Sequence, residues 1–442
     1  MIAHELIQES LKNEKLRIAK NRRDEIRRMV DYYTDTETDK YIDNHFAATA
    51  FREIPPYSVN ITRRFINKMS RIYTLGADRN VSDDYLFLTR KKNARMKHIE
   101  RMTRLVGTIA NRVMIKEDAN GTYFEYRPIY YYDAFFDEDP FLPMAITYPL
   151  LLPVNDSSRT DEMHYAYWDD VHYAEYDEDG KIVMQYEHGF GMLPFVFTHR
   201  EDQIDSHFVE GANDIINVNE QVNITMTEMQ LGLRFQMFGQ PVTTGADIDK
   251  NVTRTGSDSI LGLPEGATFD IVAPQGNIDS VISNVKFQIE LVAQSNHLWV
   301  HWAEQGGEMP SGVSLMIKDL ERTEDYMDDI DLWRMYEEEL FIVEKAVAKA
   351  NNIGISNKFG VNFIEPEYPQ SIQDQILWNN FRLENNLTTR AKLLNEINSD
   401  LSIEEAQSLV SENERTNGTG QEQRGLFNRT FQTTRRTEEQ GG

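Results

Sequence analysis

The chain has no cysteine among its 442 residues. This absence excludes disulfide bonds, thiol nucleophiles and cysteine metal ligands, and it suits a protein made in a reducing cytoplasm. The sequence has no run of about 18 uninterrupted apolar residues, so we expect no membrane-spanning helix. The residues that follow Met1 lack the basic and then apolar layout of a signal peptide, so none is expected.

Sequence motifs of the common enzyme classes are missing as well. There is no G-x-x-x-x-G-K-S/T run, which excludes a P-loop ATPase, and no G-x-S-x-G turn that would carry a nucleophile. His297 and His301 are four residues apart in a predicted helix, with Glu304 three residues further on, a spacing that zinc sites use. Leu298 stands where an H-E-x-x-H motif has its glutamate, so histidines at an interface between subunits explain the pair better.

A group of carboxylates offers a second possible metal site. The residues that could bind Mg²⁺ for nuclease chemistry are Asp133, Asp137, Glu138 and Asp139. They fall in a loop rich in proline and aromatic residues, and no general base accompanies them. We therefore expect no catalytic residue, no cofactor and no bound metal ion.

Charge is distributed unevenly along the chain. The formal net charge is −26, yet residues 1–116 carry 24 Lys and Arg against 15 Asp and Glu, while residues 117–442 carry 22 against 57. An acidic body does not grip DNA phosphates, because nucleic-acid binding needs clustered basic side chains. The charge disfavours sequence-specific DNA binding and fits either simple solubility or a surface past which DNA slides without sticking.

The N-terminal part is predicted to be helical and the next part to be an antiparallel β region. Apolar spacing indicates helices over residues 5–33, 60–75 (with Gly76 as the C-terminal cap) and 83–116. Residues 60–116 carry 14 basic residues against 4 acidic ones, which indicates a solvated face or contact with a partner protein or the genome. Asn120-Gly121 predicts a hairpin turn. Further strands are expected over residues 144–152, 164–176 and 181–187, with the region ending near Phe195.

The central part of the chain predicts a helical hairpin. Residues 213–238 and 279–303 have apolar residues at spacings of three and four, and each would form a helix roughly 38 Å long. Residues 240–278 between them contain two strand-like runs, 259–263 and 268–272. The two helices have few charges and narrow apolar stripes, which favours neighbours on two sides, as subunits of a ring provide. A hairpin packed within its own domain fits the same periodicity.

Residues rich in helix breakers separate this hairpin from the C-terminal part. Residues 304–312 contain three glycines and a proline, so a flexible loop is predicted there. A long acidic helix follows over residues 313–350, then a strand over 361–364 and further helices, one beginning with the capping box Ser402–Glu405. The residues after Glu414 are polar and are predicted to be disordered.

Taken in order, these segments resemble the portal proteins of tailed bacteriophages. Asn60–Gly76 is similar to the family's early wing helix, and Gly189–Phe197 resembles the strand before its first stem helix. Glu210–Asp214 resembles the start of that helix, and Pro310–Leu315 resembles the segment after the second stem helix. Asn386–Arg415 resembles the family's C-terminal pattern, so the resemblance lies in the order of the pieces over residues 30–415.

The resemblance implies an α+β portal fold that assembles into a ring, expected to be a dodecamer. Its regions would be a helical and β-containing wing (1–207), a stem hairpin of two helices (208–239 and 279–303), a small β-containing clip (240–278), a tunnel loop (304–314), a return to the wing with the acidic helix (315–370), a short helical crown (371–414) and a disordered tail (415–442). The tunnel-loop residues that would face DNA are Gly306, Gly307, Glu308, Met309, Pro310 and Ser311. The clip residues that would contact other proteins are Asp249, Lys250, Arg254, Pro264 and Glu265.

The resemblance also implies a function, which is not enzymatic. The ring would occupy one vertex of the capsid in the virion, after assembly in the host cytoplasm. Double-stranded DNA would pass through its channel, without sequence readout, during packaging and ejection. The clip would bind the terminase large subunit and then the head–tail adaptor, and the wing would contact the major capsid protein. A scaffolding protein is a further partner that the resemblance implies.

Two other classes of protein stay open on the sequence alone. A phage scaffold or adaptor protein would be a monomer or a dimer, so oligomer size separates it from a portal. A metal-dependent DNA-processing enzyme would show an Mg²⁺- or Zn²⁺-dependent activity that is lost when His297 or Asp137 is replaced.

Overall fold

The computed structural model describes the chain in several stretches. These are residues 17–46, 55–150, 164–177, 179–238, 240–244, 266, 268–272, 277–300, 320–363, 372–385, 387–398 and 401–416. The described residues form two compact units, one between residues 17 and 363 and one between residues 372 and 416. Helices and antiparallel strands occur in separate runs of the chain, so the fold is of the mixed α+β class.

The first unit contains most of the helices and all of the described strands. Its helices are α1 (Arg17–Thr34), α2 (Thr38–Asp43), α3 (Ile61–Met69), α4 (Asp83–Leu88), α5 (Lys92–Val106), α6 (Asn213–Phe238), α7 (Ile278–Ser295) and α8 (Leu320–Ala350). Its strands are β1 (Ala77–Arg79), β2 (Thr108–Asp118), β3 (Gly121–Ile129), β4 (Asp133–Phe135), β5 (Ala145–Leu150), β6 (His164–Trp168), β7 (His172–Tyr176), β8 (Ile182–Glu187), β9 (Phe195–His199), β10 (Gln240–Thr244), β11 (Thr268–Val272) and β12 (Val361–Phe363).

A three-stranded antiparallel sheet in the order β3-β2-β9 joins the two cores of this unit. The β2–β3 hairpin closes where Asp118 pairs with Gly121, which confirms the predicted turn. Gly121 has a φ of 110°, a backbone conformation that favours glycine. β9 pairs with the other side of β2 rather than with β8, its predecessor in the chain. Strands β3 and β9 are therefore the opposite edges of this sheet.

Alternate residues of the three-stranded sheet face different cores, because successive side chains of a strand point to opposite sides. Ile109 and Val196 belong to the core formed with the helices. Ala110 and Phe195 belong to a second core, where they pack with Trp168 of the five-stranded sheet. The three-stranded sheet thus lies between a helical layer and the second sheet. In the helical layer α5 packs over β2 and β3, α8 packs over β2 and β9, and α1 and α3 pack against α5.

The second sheet has five antiparallel strands in chain order, β4-β5-β6-β7-β8. The sequence predicts one strand over residues 164–176, and this was wrong, because the segment folds into β6 and β7 with a tight turn between them. The Asp169 carboxylate accepts hydrogen bonds from the backbone N–H groups of Val171 (2.9 Å) and His172 (2.5 Å). An aspartate that binds the backbone two and three residues ahead favours a turn over a continued strand.

The helix predicted over residues 60–75 begins where expected and ends early. Asn60 is the N-terminal cap of α3, and α3 ends at Met69. The buried Glu100 carboxylate then accepts hydrogen bonds from the backbone N–H groups of Ile72 (2.9 Å) and Tyr73 (3.1 Å), which holds this stretch in a turn. Gly76 lies beyond that turn and does not cap the helix, so this part of the prediction was wrong.

The prediction of a helix over residues 83–116 was also wrong beyond Val106. α5 ends there, Gly107 follows with a φ of 94°, and residues 108–118 form β2. A Cβ atom on Gly107 would lie 2.1 Å from the backbone oxygen of Val209, so only glycine fits this close approach. The β-branched residues Ile109 and Val113 then lie on the same face of this strand, a conformation that such side chains favour.

The second unit consists of helices in its described residues. They are α9 (Ile372–Glu384), α10 (Arg390–Ile397) and α11 over residues 403–416. The predicted capping box at the start of α11 is confirmed. Ser402 Oγ accepts from the Glu405 N–H at 3.2 Å, and the Glu405 carboxylate accepts from the Ser402 N–H at 2.9 Å.

Some predicted segments lie outside the described residues. They are the part of the first helix before Arg17, the start of the acidic helix before Leu320 and the tail after residue 416. Of the helices that the structure does describe, none has both the length and the hydrophobicity needed to cross a lipid bilayer.

Candidate functional site

α6, α7 and the strands between them form a helical hairpin. α6 spans Asn213–Phe238, which confirms the predicted helix, and it packs along α7. β10 follows α6 and pairs with β11, which leads back to α7, so the chain leaves and re-enters the hairpin at one end. The predicted strand over residues 268–272 is β11. Its described partner is Gln240–Thr244, which the sequence did not indicate, and residues 259–263 lie outside the described residues.

α7 ends at Ser295, earlier than the predicted residue 303. The backbone N–H groups of Asn296 and Leu298 both bond to the carbonyl oxygen of Ala293, and His297 has a φ of 51°. A left-handed residue with such bonds terminates a helix. The prediction that His297 shares a helical face with His301 was therefore wrong, while His301 and Glu304 themselves lie outside the described residues.

The predicted carboxylate group does not form a metal site in the part of the chain that the structure describes. Asp133 forms an ion pair with Arg23 at 2.8 Å. The Asp139 carboxylate accepts a hydrogen bond from the backbone N–H of Phe141. No group of three His, Cys, Asp or Glu residues among the described ones could hold a metal ion.

The predicted tunnel-loop and clip residues lie outside the described residues. For the tunnel loop these are Gly306, Gly307, Glu308, Met309, Pro310 and Ser311, and for the clip Asp249, Lys250, Arg254, Pro264 and Glu265. The described part of the hairpin consists of the two helices, Gly266 and the paired strands β10 and β11.

A polar ladder attaches the first half of α6 to the chain before α3. Asn219, Asn223 and Thr227 are buried at intervals of four residues, and each side-chain oxygen accepts backbone hydrogen bonds. These bonds join Asn219 Oδ1 to the N–H groups of Ile61 (2.8 Å) and Thr62 (2.9 Å), Asn223 Oδ1 to Val59 (3.0 Å) and Thr227 Oγ1 to Tyr57 (2.9 Å). They satisfy donors at the start of α3 that have no partner within the helix. The apolar stripe of α6 did not predict this ladder, and the regular spacing of three small polar residues was the signal that could have done so.

An ion pair fixes α1 against the same part of α6. Arg28 donates two hydrogen bonds to one carboxylate oxygen of Glu220, at 2.7 and 3.0 Å, and the Tyr32 hydroxyl donates to the same oxygen at 3.1 Å. Glu220 raises the pKa of Tyr32 together with burial, which is the larger cause. The base of the hairpin is thus held by polar contacts from both α1 and the segment before α3.

α7 carries apolar side chains that are exposed. Its buried residues are Val285, Val292 and Ala293. Phe287 is 61% exposed and Leu291 is 53% exposed, one helical turn apart. Met237, near the end of α6, is 78% exposed. Adjacent exposed apolar side chains on an exposed helix indicate a surface that another chain covers.

Four charged side chains meet in the helical core, and the sequence did not indicate this network. Arg79 donates two hydrogen bonds to the Glu337 carboxylate, at 2.6 and 3.0 Å. Lys92 lies 3.1 Å from Glu337 and 2.8 Å from Glu344. Tyrosine hydroxyls donate the remaining bonds, from Tyr73 to Glu337 and from Tyr85 and Tyr126 to Glu344. Two cations face two carboxylates, so the buried network is formally neutral.

The electrostatics of this network suit a structural role. Burial alone would raise the pKa of Glu337, but the charges of Lys92 and Arg79 outweigh it and lower that pKa to about 2. Lys92, Glu337 and Glu344 have no exposed surface, so a substrate cannot reach them. The network instead ties β1, α5 and α8 together.

A buried histidine pair lies on the other side of the three-stranded sheet. His199 and His207 are in edge-to-face contact, with ring centroids 5.2 Å apart. Burial lowers the pKa of His199 to about 3 and that of His207 to about 4. The His207 ring bonds to the Tyr132 hydroxyl at 2.8 Å and to the Phe141 backbone oxygen at 2.9 Å. Both histidines are therefore neutral packing residues at ordinary pH.

The described surface thus offers a feature for assembly, while the buried ion network and the buried histidine pair have structural roles. A scan against models of known protein families finds no match for the chain, and no curated protein matches its sequence. The exposed apolar side chains of α7, Phe287 and Leu291, are the feature of the hairpin that a partner chain would bury.

Proposed function

We propose that the protein is the portal subunit of a tailed bacteriophage, which assembles with copies of itself into a ring around a DNA channel. The observation that carries this proposal is the helical hairpin, with Phe287 and Leu291 exposed on α7 and Met237 exposed on α6. The hairpin is long, has a β insertion and shows apolar side chains on two different helices. Neighbouring hairpins in a ring would cover them.

A ring explains these surfaces better than a two-fold dimer does. A two-fold contact uses the same patch on both copies, whereas contact between two different patches continues from copy to copy and closes as a ring. The α7 face and the far part of α6 are two such patches. The proposed ring is a dodecamer with α6 and α7 in its stem. Within the mixed α+β class, we propose that the chain has the portal fold.

The mechanism that we propose is passive. The chain contains no P-loop, so the ATP-driven step of packaging would belong to the terminase large subunit. The net charge of −26 would keep DNA from adhering to the channel, which works by shape and weak repulsion. Residues 304–314 would form the loop next to DNA, and residues 240–278 would bind the terminase and then the head–tail adaptor. The wing would contact the capsid and scaffolding proteins at one vertex of the virion.

Electron microscopy of the purified protein, with mass photometry, tests this proposal. We expect a ring with a central channel and about twelve subunits. The same measurement in the presence of the phage's capsid and scaffolding proteins would detect rings that close only during capsid assembly. A monomer or dimer under both conditions would contradict the portal proposal and favour a scaffold or adaptor protein.

A further inference from the structure

A groove of about 550 Å³ opens beside β9, one edge of the three-stranded sheet. Its lining is largely apolar, and Leu142 is 66% exposed there, with Met144 and Ile342 also exposed. Asp170 and Glu339 also line the groove, and both are exposed. Within the described residues neither carboxylate pairs with a basic side chain, so the groove combines apolar walls with uncompensated negative charge.

α3 and α5 pack against each other in the helical layer, and α5 lies toward β3, the other edge of the sheet. Their basic face is defined by Arg63, Arg64 and Lys68 of α3 and by Lys97 and Arg101 of α5. The three α3 residues are exposed, and those of α5 are half-buried. Across the described part of the chain, no carboxylate forms an ion pair with any of the five. Basic side chains held close together without counter-charges repel one another, which a surface bearing carboxylates would relieve.

Contacts with β3 and with the residue after it place α5 at that edge. Arg95 forms an ion pair with Glu125 of β3 at 2.7 Å. His98 Nε2 lies 3.1 Å from the hydroxyl of Tyr130, which directly follows β3. The α5 part of the basic face is therefore next to β3, while the groove is next to β9.

Aromatic side chains connect the two helices of the basic face. Arg63 lies over the ring of Tyr33, 5.9 Å from its centroid. Burial, followed by the neighbouring Tyr131 and Tyr33 hydroxyls, raises the pKa of Tyr130 to about 12. Half-buried tyrosines thus lie beside both helices, Tyr33 next to α3 and Tyr130 next to α5, and provide apolar area near the charges.

We propose that the basic face of one copy docks into the groove of the next copy, with the α3 and α5 cations against Asp170 and Glu339. This inference rests on the proposed ring and names a second contact within it, between wings rather than hairpins. The groove is next to β9 and the α5 part of the basic face is next to β3, so the two surfaces do not overlap, each copy can use both, and the contact runs head to tail as ring closure requires.

Charge complementarity favours a second copy as the occupant of the groove. Residues 117–442 carry 57 acidic against 22 basic residues, and the groove residues belong to that acidic part. The basic face belongs to residues 1–116, where 24 basic residues stand against 15 acidic ones. Copies that repel one another overall need a local contact between opposite charges to associate in one register.

Charge reversal tests this contact. The face-reversed variant carries Arg63→Glu and Arg64→Glu, and the groove-reversed variant carries Asp170→Lys and Glu339→Lys. In the groove-reversed variant alone like charges meet at every contact, and in the face-reversed variant alone two of the five cations become carboxylates opposite Asp170 and Glu339, so in both we expect association to weaken about 100-fold in mass photometry. An equimolar mixture places opposite charges at every contact in alternating order, so we expect rings to return. Lys349→Glu with Lys358→Glu, exposed cations on other elements, is the matched control, and thermal unfolding checks that each variant is folded.

The outcomes separate this contact from the portal proposal. Rings in the wild-type protein and in both reversed variants would overturn the wing contact and leave the portal proposal intact. Loss of rings in both variants without recovery in the mixture would also overturn the contact. Wild-type protein without rings would contradict the portal proposal, and the contact with it. Intact rings together with loss of duplex-DNA binding in the face-reversed variant would assign the basic face to nucleic acid instead.

Discussion

Glu337 and Glu344 show how a residue's role changes when its surroundings are known. In the sequence they belong to a long acidic helix, which suggests solvent-exposed charges. In the structure both are fully buried against Lys92, with Arg79 completing the network. A buried ion pair does not necessarily add stability relative to apolar residues, but removing one partner leaves the other charge buried without compensation.

Replacing Glu337 by glutamine should therefore destabilise the protein strongly. Arg79 and Lys92 would each lose a carboxylate in the core, so we expect the free energy of unfolding to fall by about 3–5 kcal/mol. The matched variant is Glu338→Gln, one residue along and exposed, which should change stability by less than about 0.5 kcal/mol. Urea denaturation at neutral pH measures both, and similar values for the two variants would contradict the role assigned to the network.

The buried histidines predict acid sensitivity that begins at mildly acidic pH. The pKa values of His199 (about 3) and His207 (about 4) lie below the ordinary 6.5, so the unfolded chain binds protons that the native protein does not. Their contribution to stability is complete above pH 6.5 and is lost progressively as the pH falls below 6.5, and the decline ends as the pH passes about 4 for His207 and about 3 for His199. We expect a loss of about 6 kcal/mol by pH 4, about 3 kcal/mol from each histidine.

Denaturation midpoints between pH 7 and pH 4 measure this effect. Glu337 adds little in this range, because its contribution is lost only as the pH falls from 4.5 towards about 2. In the double variant His199→Gln/His207→Gln the decline from pH 6.5 should be much smaller, although its overall stability is lower. His45→Gln, which replaces an exposed histidine, should keep the decline. An unchanged decline in the double variant would refute the assignment.

At the scale of elements, α6 serves two different parts of the molecule. Its first half is attached to the helical layer by Asn219, Asn223 and Thr227. Beyond Thr227 the side chains whose burial the structure describes are half-buried or exposed, and α6 packs with α7 in the hairpin. The polar ladder is therefore the joint that holds the hairpin to the helical layer.

Removing the centre of the ladder should weaken this joint. In Asn219→Ala the N–H groups of Ile61 and Thr62 lose their buried acceptor, and we expect a loss of about 2–4 kcal/mol in the free energy of unfolding. Gln221→Ala, on an exposed position of the same helix, is the control and should be nearly neutral. Hydrogen exchange should show faster exchange at residues 59–62 in Asn219→Ala only. Equal exchange in the two variants would show that the ladder does not hold this segment.

At the scale of the whole molecule, the hairpin faces require a partner if the proposed ring exists. Phe287 and Leu291 contribute to no described core cluster. Their burial between neighbouring hairpins would favour association by about 1.5–3 kcal/mol for each side chain at each contact. Repeated around a ring, these contacts would outweigh the repulsion between strongly acidic copies.

The double variant Phe287→Asp/Leu291→Asp should abolish the ring and leave the fold unchanged. Carboxylates would then be buried at each contact, whereas in the monomer they would face water. Mass photometry should show monomers, and the thermal midpoint of the monomer should stay within a few degrees of the wild-type value. Asn284→Asp, which adds one charge at an exposed position of α7, should still assemble. Rings in the double variant would show that this face lies outside the stem contacts.

The sequence predicted best where structure depends on residues close together in the chain. The Asn120-Gly121 turn, the bounds of α6 and the capping box of α11 are all confirmed. Each depends on backbone preferences or on hydrogen bonds that span a few residues, so the information is local. The mixed α+β class follows from the same local patterns, while the portal fold, its ring and its partners remain proposals.

Only the tertiary structure decided features whose partners are distant in sequence. α3 ends early because of a carboxylate 28 residues away, and the ladder joins residues 157 positions apart. Lys92 and Glu344 are 252 positions apart, so no sequence window contains both halves of the buried network. The pairing of β9 with β2 makes β9 and β3 the opposite edges of one sheet, with the groove beside β9. Periodicity reports which side of an element is apolar, but folding alone determines what that side meets, because the partners come together only in three dimensions.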